Sequence, residues 1–129
     1  MNITNALYFL MMCFVFCVGT CSAQEVINQG NFKDKIAKDI VVVEFWAEWN
    51  KANEFTELNK LKDSSVYRVD IMHCAKLQAD YKISAVPTVV VFDNGVEKER
   101  FNANIMFQLE ADKKTIQTSI DTIILNKFQ

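Results

Sequence analysis

Residues 40–45 (IVVVEF) form a β-branched run in which a single charged residue interrupts the apolar side chains. Such a run is typical of a strand covered on both faces, as in a parallel sheet between helices. Residues 66–71, 88–92 and 96–101 predict three more strands. The last two are joined by residues 93–95 (DNG), and Asn-Gly supplies the positive φ angles of a tight hairpin. One end of the sheet is therefore predicted to be antiparallel.

Segments with helical spacing alternate with these strands. Asn31 and Asn50 precede two of them and are the expected N-caps. In the helix after Asn50 the apolar residues recur every three positions, and a short strand at 25–27 precedes the first helix. The predicted order is β-α-β-α-β-α-β-β-α, an α/β fold whose central mixed sheet has helices on both faces. The predicted helices cover residues 32–38, 51–62, 75–81 and 109–126.

The first 23 residues carry no charge, and residues 6–18 form a short apolar block followed by small residues. This pattern predicts a secretory signal peptide cleaved after Ala23, which leaves one mature domain over residues 24–129. The protein is then exported to a periplasmic or extracellular space. Two alternatives attach it to a membrane: an uncleaved leader, or a lipobox-like segment (18–21) that ends in a lipidated Cys21.

The net charge and the cysteine content argue against several classes of partner and ligand. The net charge is −2 and no Lys/Arg-rich run is present, which argues against nucleic acid and against an anionic membrane surface. Of the four cysteines only Cys74 lies outside the leader, so the mature domain is predicted to form no internal disulfide. One His and one Cys cannot complete a tetrahedral metal site. No metal and no cofactor are predicted.

Two motifs resemble thioredoxins: FWAEW (45–49), which closes the central strand, and AVPT (85–88), which opens the hairpin. Together with the turn at 92–95 they occur in that family's order, and the likeness spans nearly the whole mature chain. The resemblance implies a thioredoxin-like fold. The chain departs from the pattern in a stretch between Asn50 and Arg68 that is about two helical turns shorter.

In thioredoxins the residue after the second tryptophan of the first motif is the nucleophilic cysteine of a C-x-x-C pair. Asn50 and Asn53 occupy both cysteine positions here. An amide cannot become a thiolate, so dithiol exchange is excluded at this site. Two interpretations follow: Asn50 is simply a helix N-cap, or the two amides form a polar surface that binds a peptide backbone.

The resemblance also assigns roles to four other residues. Glu44 aligns with the family's buried acid and Arg68 with a nearby lysine, which predicts a Glu44–Arg68 ion pair; the alternative is a solvent-facing Glu44. Pro87 aligns with the family's cis-proline, and Val86 would present its backbone to an extended substrate. The alternative is an ordinary proline at the start of a strand.

Three functions are compatible with these residues. The first is a redox-inactive module that binds an extended polypeptide or client protein through Trp49, Asn50, Asn53 and the Val86-Pro87 edge. The second is a monothiol oxidoreductase in which Cys74 forms mixed disulfides. The third is an accessory domain whose groove is unused. Exposure of Cys74 separates the first two, because a buried cysteine is usually structural and inert.

Overall fold

The computed structural model describes residues 24–129 and has a four-stranded sheet at its centre. The predicted leader, with its cleavage and lipidation sites, lies outside these residues. The strands are Ile40–Trp46 (β1), Ser65–Asp70 (β2), Thr88–Asp93 (β3) and Val96–Phe101 (β4). The α-helices are Phe32–Ile36 (α1), Ala75–Asp80 (α2) and Lys113–Asn126 (α3), and two 3-10 segments span Glu48–Asn53 and Leu58–Lys60.

The sheet is mixed, in the order β2-β1-β3-β4. β1 pairs in parallel with β2 and antiparallel with β3, which pairs antiparallel with β4. Asn94 and Gly95 have φ angles of 48° and 82°, as the predicted β3–β4 hairpin requires. The predicted α/β fold with a mixed central sheet is confirmed.

Alternation along β1 builds a core on each face of the sheet. Val41, Val43 and Phe45 face α1 and α2, in a cluster that also contains Phe32 and Leu77. The opposite face packs Ile40 and Val42 of β1 against α3 and against the chain that runs from β1 to β2. Since β1 is buried on both faces, its continuous apolar sequence has a direct structural cause.

Four loops converge at one edge of the sheet. β1 and β2 are parallel, so their carboxyl ends lie together, while β3 begins there because Thr88 pairs with Phe45. β4 ends there because Phe101 pairs with Val89. We call this the carboxyl edge. The loops that meet at it are residues 47–53, 71–74, 84–87 and 102–109.

The helix predicted over residues 51–62 is wrong. Two 3-10 segments replace it, and the backbone between them is extended at Glu54, with φ −60° and ψ 149°. The N–H of Phe55 donates to the Glu44 carboxylate at 2.7 Å, so it is not available to an α-helix. Apolar residues at every third position also suit the three residues per turn of a 3-10 helix.

The structure differs from the prediction at three other places: the first strand, the cap of α1 and the start of α3. The strand over 25–27 is a single bridge between Val26 and Arg68. Asn31 makes no capping bond to α1, because its side-chain oxygen accepts the N–H of Asn28 instead. The last helix begins at Lys113 rather than at 109, since Asp112 caps it by accepting the Thr115 N–H at 2.8 Å. Within residues 24–129, no helix has the length and apolar character needed to cross a membrane.

Candidate functional site

The side chain of Asn50 joins two loops at the carboxyl edge. Its Nδ2 donates to the carbonyl oxygen of Val86 and to that of Phe107, at 3.0 Å each. Its Oδ1 accepts a bond of 2.8 Å from Nδ2 of Asn53. The N-cap position before this segment belongs to Ala47, so the predicted capping role of Asn50 is wrong. The amide instead bridges chain segments 36 and 57 residues away.

The loop over residues 102–109 is organised around Asn104. A bridge between Ala103 and Leu109 closes its base, and Oδ1 of Asn104 accepts the N–H groups of Met106 and Gln108 at 2.9 and 3.1 Å. Phe107 has a φ of 57°, a left-handed conformation that is uncommon for a bulky residue. In that conformation the Phe107 carbonyl accepts the hydrogen bond from Nδ2 of Asn50.

Exposed apolar side chains lie on two of the loops that this amide connects. The ring of Phe107 meets that of Trp49 edge to face, with centroids 5.3 Å apart. Trp49 is 58% exposed, Met106 68% and Ile105 97%. We call these four residues the apolar platform. The sequence predicted a contact role for Trp49 but not for the other three, although three consecutive apolar residues between polar ones (104–108, NIMFQ) were a usable signal.

The Val86–Pro87 peptide bond is cis, as the resemblance implied. Both residues are buried, and the Val86 carbonyl is the one that accepts from Asn50. Asn50 itself is 9% exposed. Three of the five polypeptide-contact residues predicted from sequence are therefore buried, and Trp49 and the half-buried Asn53 remain accessible.

Glu44 and Arg68 form the ion pair that the sequence predicted. Nε and Nη2 of Arg68 both lie 2.9 Å from Oε1 of Glu44, whose side chain is fully buried. Arg68 also reaches Glu54 at 3.2 Å and lies over the Trp46 ring, 5.3 Å from its centroid. A solvent-facing Glu44 is thus the wrong alternative. Burial raises the pKa of the Glu44 carboxyl, and the hydrogen bond from Phe55 and the charge of Arg68 oppose that rise.

Residues 23–117 match the family model described as thioredoxin. The chain belongs to the thioredoxin family. It is 32% identical over 82 residues to thioredoxin of Chlamydia trachomatis, which covers 59% of this chain and 80% of that protein. It is 36% identical over 70 residues to thioredoxin of Mycoplasma genitalium, which covers 50% of this chain and 69% of that protein.

Solved structures show the same thioredoxin-like fold. A mutant thioredoxin from Halobacterium salinarum superposes with a TM-score of 0.62 at 24% identity, over 77% of this chain and 88% of that one. The Malassezia sympodialis thioredoxin gives a TM-score of 0.61 at 25% identity, over 78% of this chain and 90% of that one.

Cys74 of this thioredoxin-family domain is 4% exposed and packs in the core beside α2. Its neighbour His73 points the other way: the imidazole is 83% exposed and lies 3.7 Å from Asp70. The two side chains therefore do not form a thiol–imidazole pair. Among the described residues, no three His, Cys, Asp or Glu side chains are grouped closely enough to hold a metal ion.

Glu44 predicts a specific pH dependence of stability. A carboxyl with a raised pKa binds its proton more tightly in the folded protein, so folding stability falls as pH rises from the ordinary value of 4.5 to the raised one. Glu44→Gln keeps an oxygen for the Phe55 N–H but cannot titrate. We expect the stability of wild type relative to this variant to fall through that window, measured by urea unfolding from about pH 4 to about pH 8.

The opposite slope would contradict this prediction. If wild type gained stability over Glu44→Gln as pH rose, Arg68 would outweigh burial and hold the carboxyl pKa below its ordinary value. Asp121→Asn is the control for the loss of a carboxylate, because this exposed side chain accepts a hydrogen bond from Gln117 of its own helix and lies outside the core.

Proposed function

We propose that this protein is an exported, redox-inactive member of the thioredoxin family that binds polypeptide. The observation that carries the proposal is the hydrogen bonding of Asn50 and Asn53 at the end of β1. Both side chains are amides engaged with each other, and Asn50 is also bonded to two backbone carbonyls. A position engaged in this way supports a structural and binding role rather than electron transfer.

The chemistry of disulfide exchange supports the redox-inactive part. Exchange proceeds by attack of a thiolate on a disulfide, and a second thiol then resolves the mixed disulfide. Residues 24–129 contain one cysteine, Cys74. Asn50 and Asn53 stand at the positions of the family's C-x-x-C pair, and the single thiol of Cys74 cannot supply both the nucleophile and the resolving thiol.

A monothiol oxidoreductase using Cys74 is the alternative, and burial argues against it. A reactive thiol needs access to its substrate and a nearby positive charge, whereas Cys74 is 4% exposed in an apolar cluster. A mixed disulfide at this position would require the Cys74 side chain to leave that cluster.

The apolar platform supports the binding part. Exposed aromatic and methionine side chains that adjoin one another mark interaction sites more often than isolated exposed residues do. Trp49 and Phe107 supply large rigid rings, and Met106 supplies a flexible thioether that adapts to different partners. An unfolded polypeptide with exposed apolar side chains fits this surface.

Export is the third part of the proposal and rests on the apolar block at residues 6–18. We expect the mass of the mature protein, recovered from cells that express the full gene, to correspond to a chain beginning at Gln24. A mass equal to that of residues 21–129 plus acyl groups would indicate a protein lipidated at Cys21 instead. A mass that includes residue 1 would refute cleavage.

The redox part is tested by reduction of insulin in the presence of dithiothreitol. Residues 24–129 and their Cys74→Ser variant are both expected to give the rate of dithiothreitol alone. Both have Asn50 and Asn53 at the family's cysteine positions, and the Cys74 thiol of wild type is buried. A thioredoxin with two active-site cysteines is the positive control. Turnover by wild type that Cys74→Ser loses would make Cys74 catalytic and overturn the proposal.

The binding part is tested with the S-carboxymethylated B chain of insulin, an unfolded polypeptide without free thiols. Trp49→Ala is expected to weaken its binding at least about tenfold, because a central aromatic contact commonly contributes more than about 1.4 kcal/mol. Phe128→Ala removes another exposed aromatic residue, 84% exposed near the C-terminus, and should leave affinity unchanged. Equal losses in both variants, or no binding by wild type, would refute a polypeptide site at the platform.

A further inference from the structure

We propose that Asn50 is a positioning residue that closes the carboxyl edge to backbone pairing, so that a bound polypeptide is recognised through its apolar side chains. The inference rests on the polypeptide-binding role proposed above and specifies its mode. It differs from the mode that the family resemblance implied, in which Val86 presents its backbone to an extended substrate.

The first step is the hydrogen-bonding capacity of one amide. A primary amide has two N–H protons, and Asn50 donates both, one to Val86 and one to Phe107. Its oxygen accepts from Asn53. Because Asn50 is buried and its donors are engaged, it offers no free N–H to a partner.

The second step is the position of the two carbonyl groups. Both oxygens lie 3.0 Å from the same nitrogen, so the backbone of Phe107 lies beside that of Val86. A strand added at Val86 would need this carbonyl as the acceptor for one of its own N–H groups. Here that carbonyl already accepts from Asn50, and Val86 is only 2% exposed, so an added strand has no access to its backbone groups.

The hydrogen bond from Asn50 to Phe107 also positions the side chains of the apolar platform. The same bond that holds the Phe107 carbonyl inward holds its ring against Trp49 and leaves Ile105 and Met106 exposed. What the edge presents to a partner is therefore apolar surface rather than free backbone groups. Glu48 and Lys51 flank Trp49 and lie 3.9 Å from each other, so they give no preference for a charged partner. The favoured ligand is an uncharged segment with aliphatic or aromatic side chains.

The test uses three synthetic peptides and isothermal titration calorimetry. The reference is acetyl-Gly-Ser-Leu-Phe-Leu-Ser-Gly-amide. In the second peptide, ester bonds replace the amides that carry the N–H groups of Phe and the second Leu, which deletes backbone donors and keeps the side chains. In the third, Ser-Gln-Ser replaces Leu-Phe-Leu. We expect the ester peptide to bind within about threefold of the reference, and the polar peptide not to bind.

Each other outcome has a distinct meaning. If the ester peptide loses about tenfold or more for a deleted hydrogen bond, backbone pairing operates and this inference fails while the proposed function stands. If none of the peptides binds and the insulin B chain does not bind either, the proposed function itself fails. If the protein alone forms a dimer that Trp49→Ala dissociates, a second copy of the chain is the occupant and the inference is overturned.

The positioning role of Asn50 has its own readout, the indole N–H resonance of Trp49 in NMR spectra, which senses the neighbouring Phe107 ring. Asn50→Asp has nearly the same shape but no N–H donors, and Asn50→Ala removes them without burying a charge. Both are expected to shift this resonance and to make peptide binding sensitive to the ester substitution. Asn59→Ala is the matched control, since this exposed asparagine lies in the 3-10 segment Leu58–Lys60, outside the loops of the carboxyl edge.

The positioning role would be overturned if the Trp49 resonance in both Asn50 variants stayed at its wild-type position and both variants still bound the ester peptide about as tightly as the reference peptide. A shift of equal size in Asn59→Ala would do the same, because the two bonds from Nδ2 of Asn50 would then not be the cause. The far-UV circular dichroism of each variant shows whether it is folded. If Asn50→Asp fails to fold, Asn50→Ala decides the result.

Discussion

The buried carboxylate of Glu44 determines the path of the chain between β1 and β2. A carboxylate inside a sheet is costly unless hydrogen bonds and an opposite charge compensate for the lost water. Here Arg68 approaches from β2, and the N–H of Phe55 donates from the connecting segment. The connection bends to deliver that N–H and therefore forms short 3-10 segments. Asn50 lies in the first of these segments, within hydrogen-bond distance of the two loops that it joins.

Asn50 lies where three loops meet, and its side chain bonds to the backbone of two of them. A thiol in a thioredoxin must be accessible to react, whereas an amide stabilises a buried site through several directed hydrogen bonds. The amide of Asn50 connects the segment after β1 with the loop before β3 and the loop after β4. Three loops that are distant in sequence are thereby held in one arrangement, which is suited to presenting a rigid surface.

The Glu44–Arg68 ion pair, the hydrogen bonds of Asn50 and the apolar platform are connected to one another. Glu44 and Arg68 position the segment after β1 from inside the sheet, and Asn50 links that segment to its neighbouring loops. Phe107 is connected through its backbone to Asn50 and through its ring to Trp49. Membership of the thioredoxin family explains the sheet beneath this site. The chemistry above the sheet follows from the residues of this chain.

The sequence alone determined the four strands, their α/β class and the β3–β4 hairpin, because alternation, β-branched runs and Asn-Gly turns act over a few neighbouring residues. The motifs at 45–49 and 85–88 were sufficient to predict the family. The resemblance to that family in turn predicted the Glu44–Arg68 pair and the cis-proline. Tertiary structure decided what followed Asn50. A local pattern indicated a capped helix, but the partners of Glu44 and Asn50 come from distant segments, and satisfying buried polar groups outweighed helix propensity. The apolar platform has the same cause: Trp49 and Phe107 meet because a hydrogen bond across 57 residues brings their loops together, which no short-range pattern records.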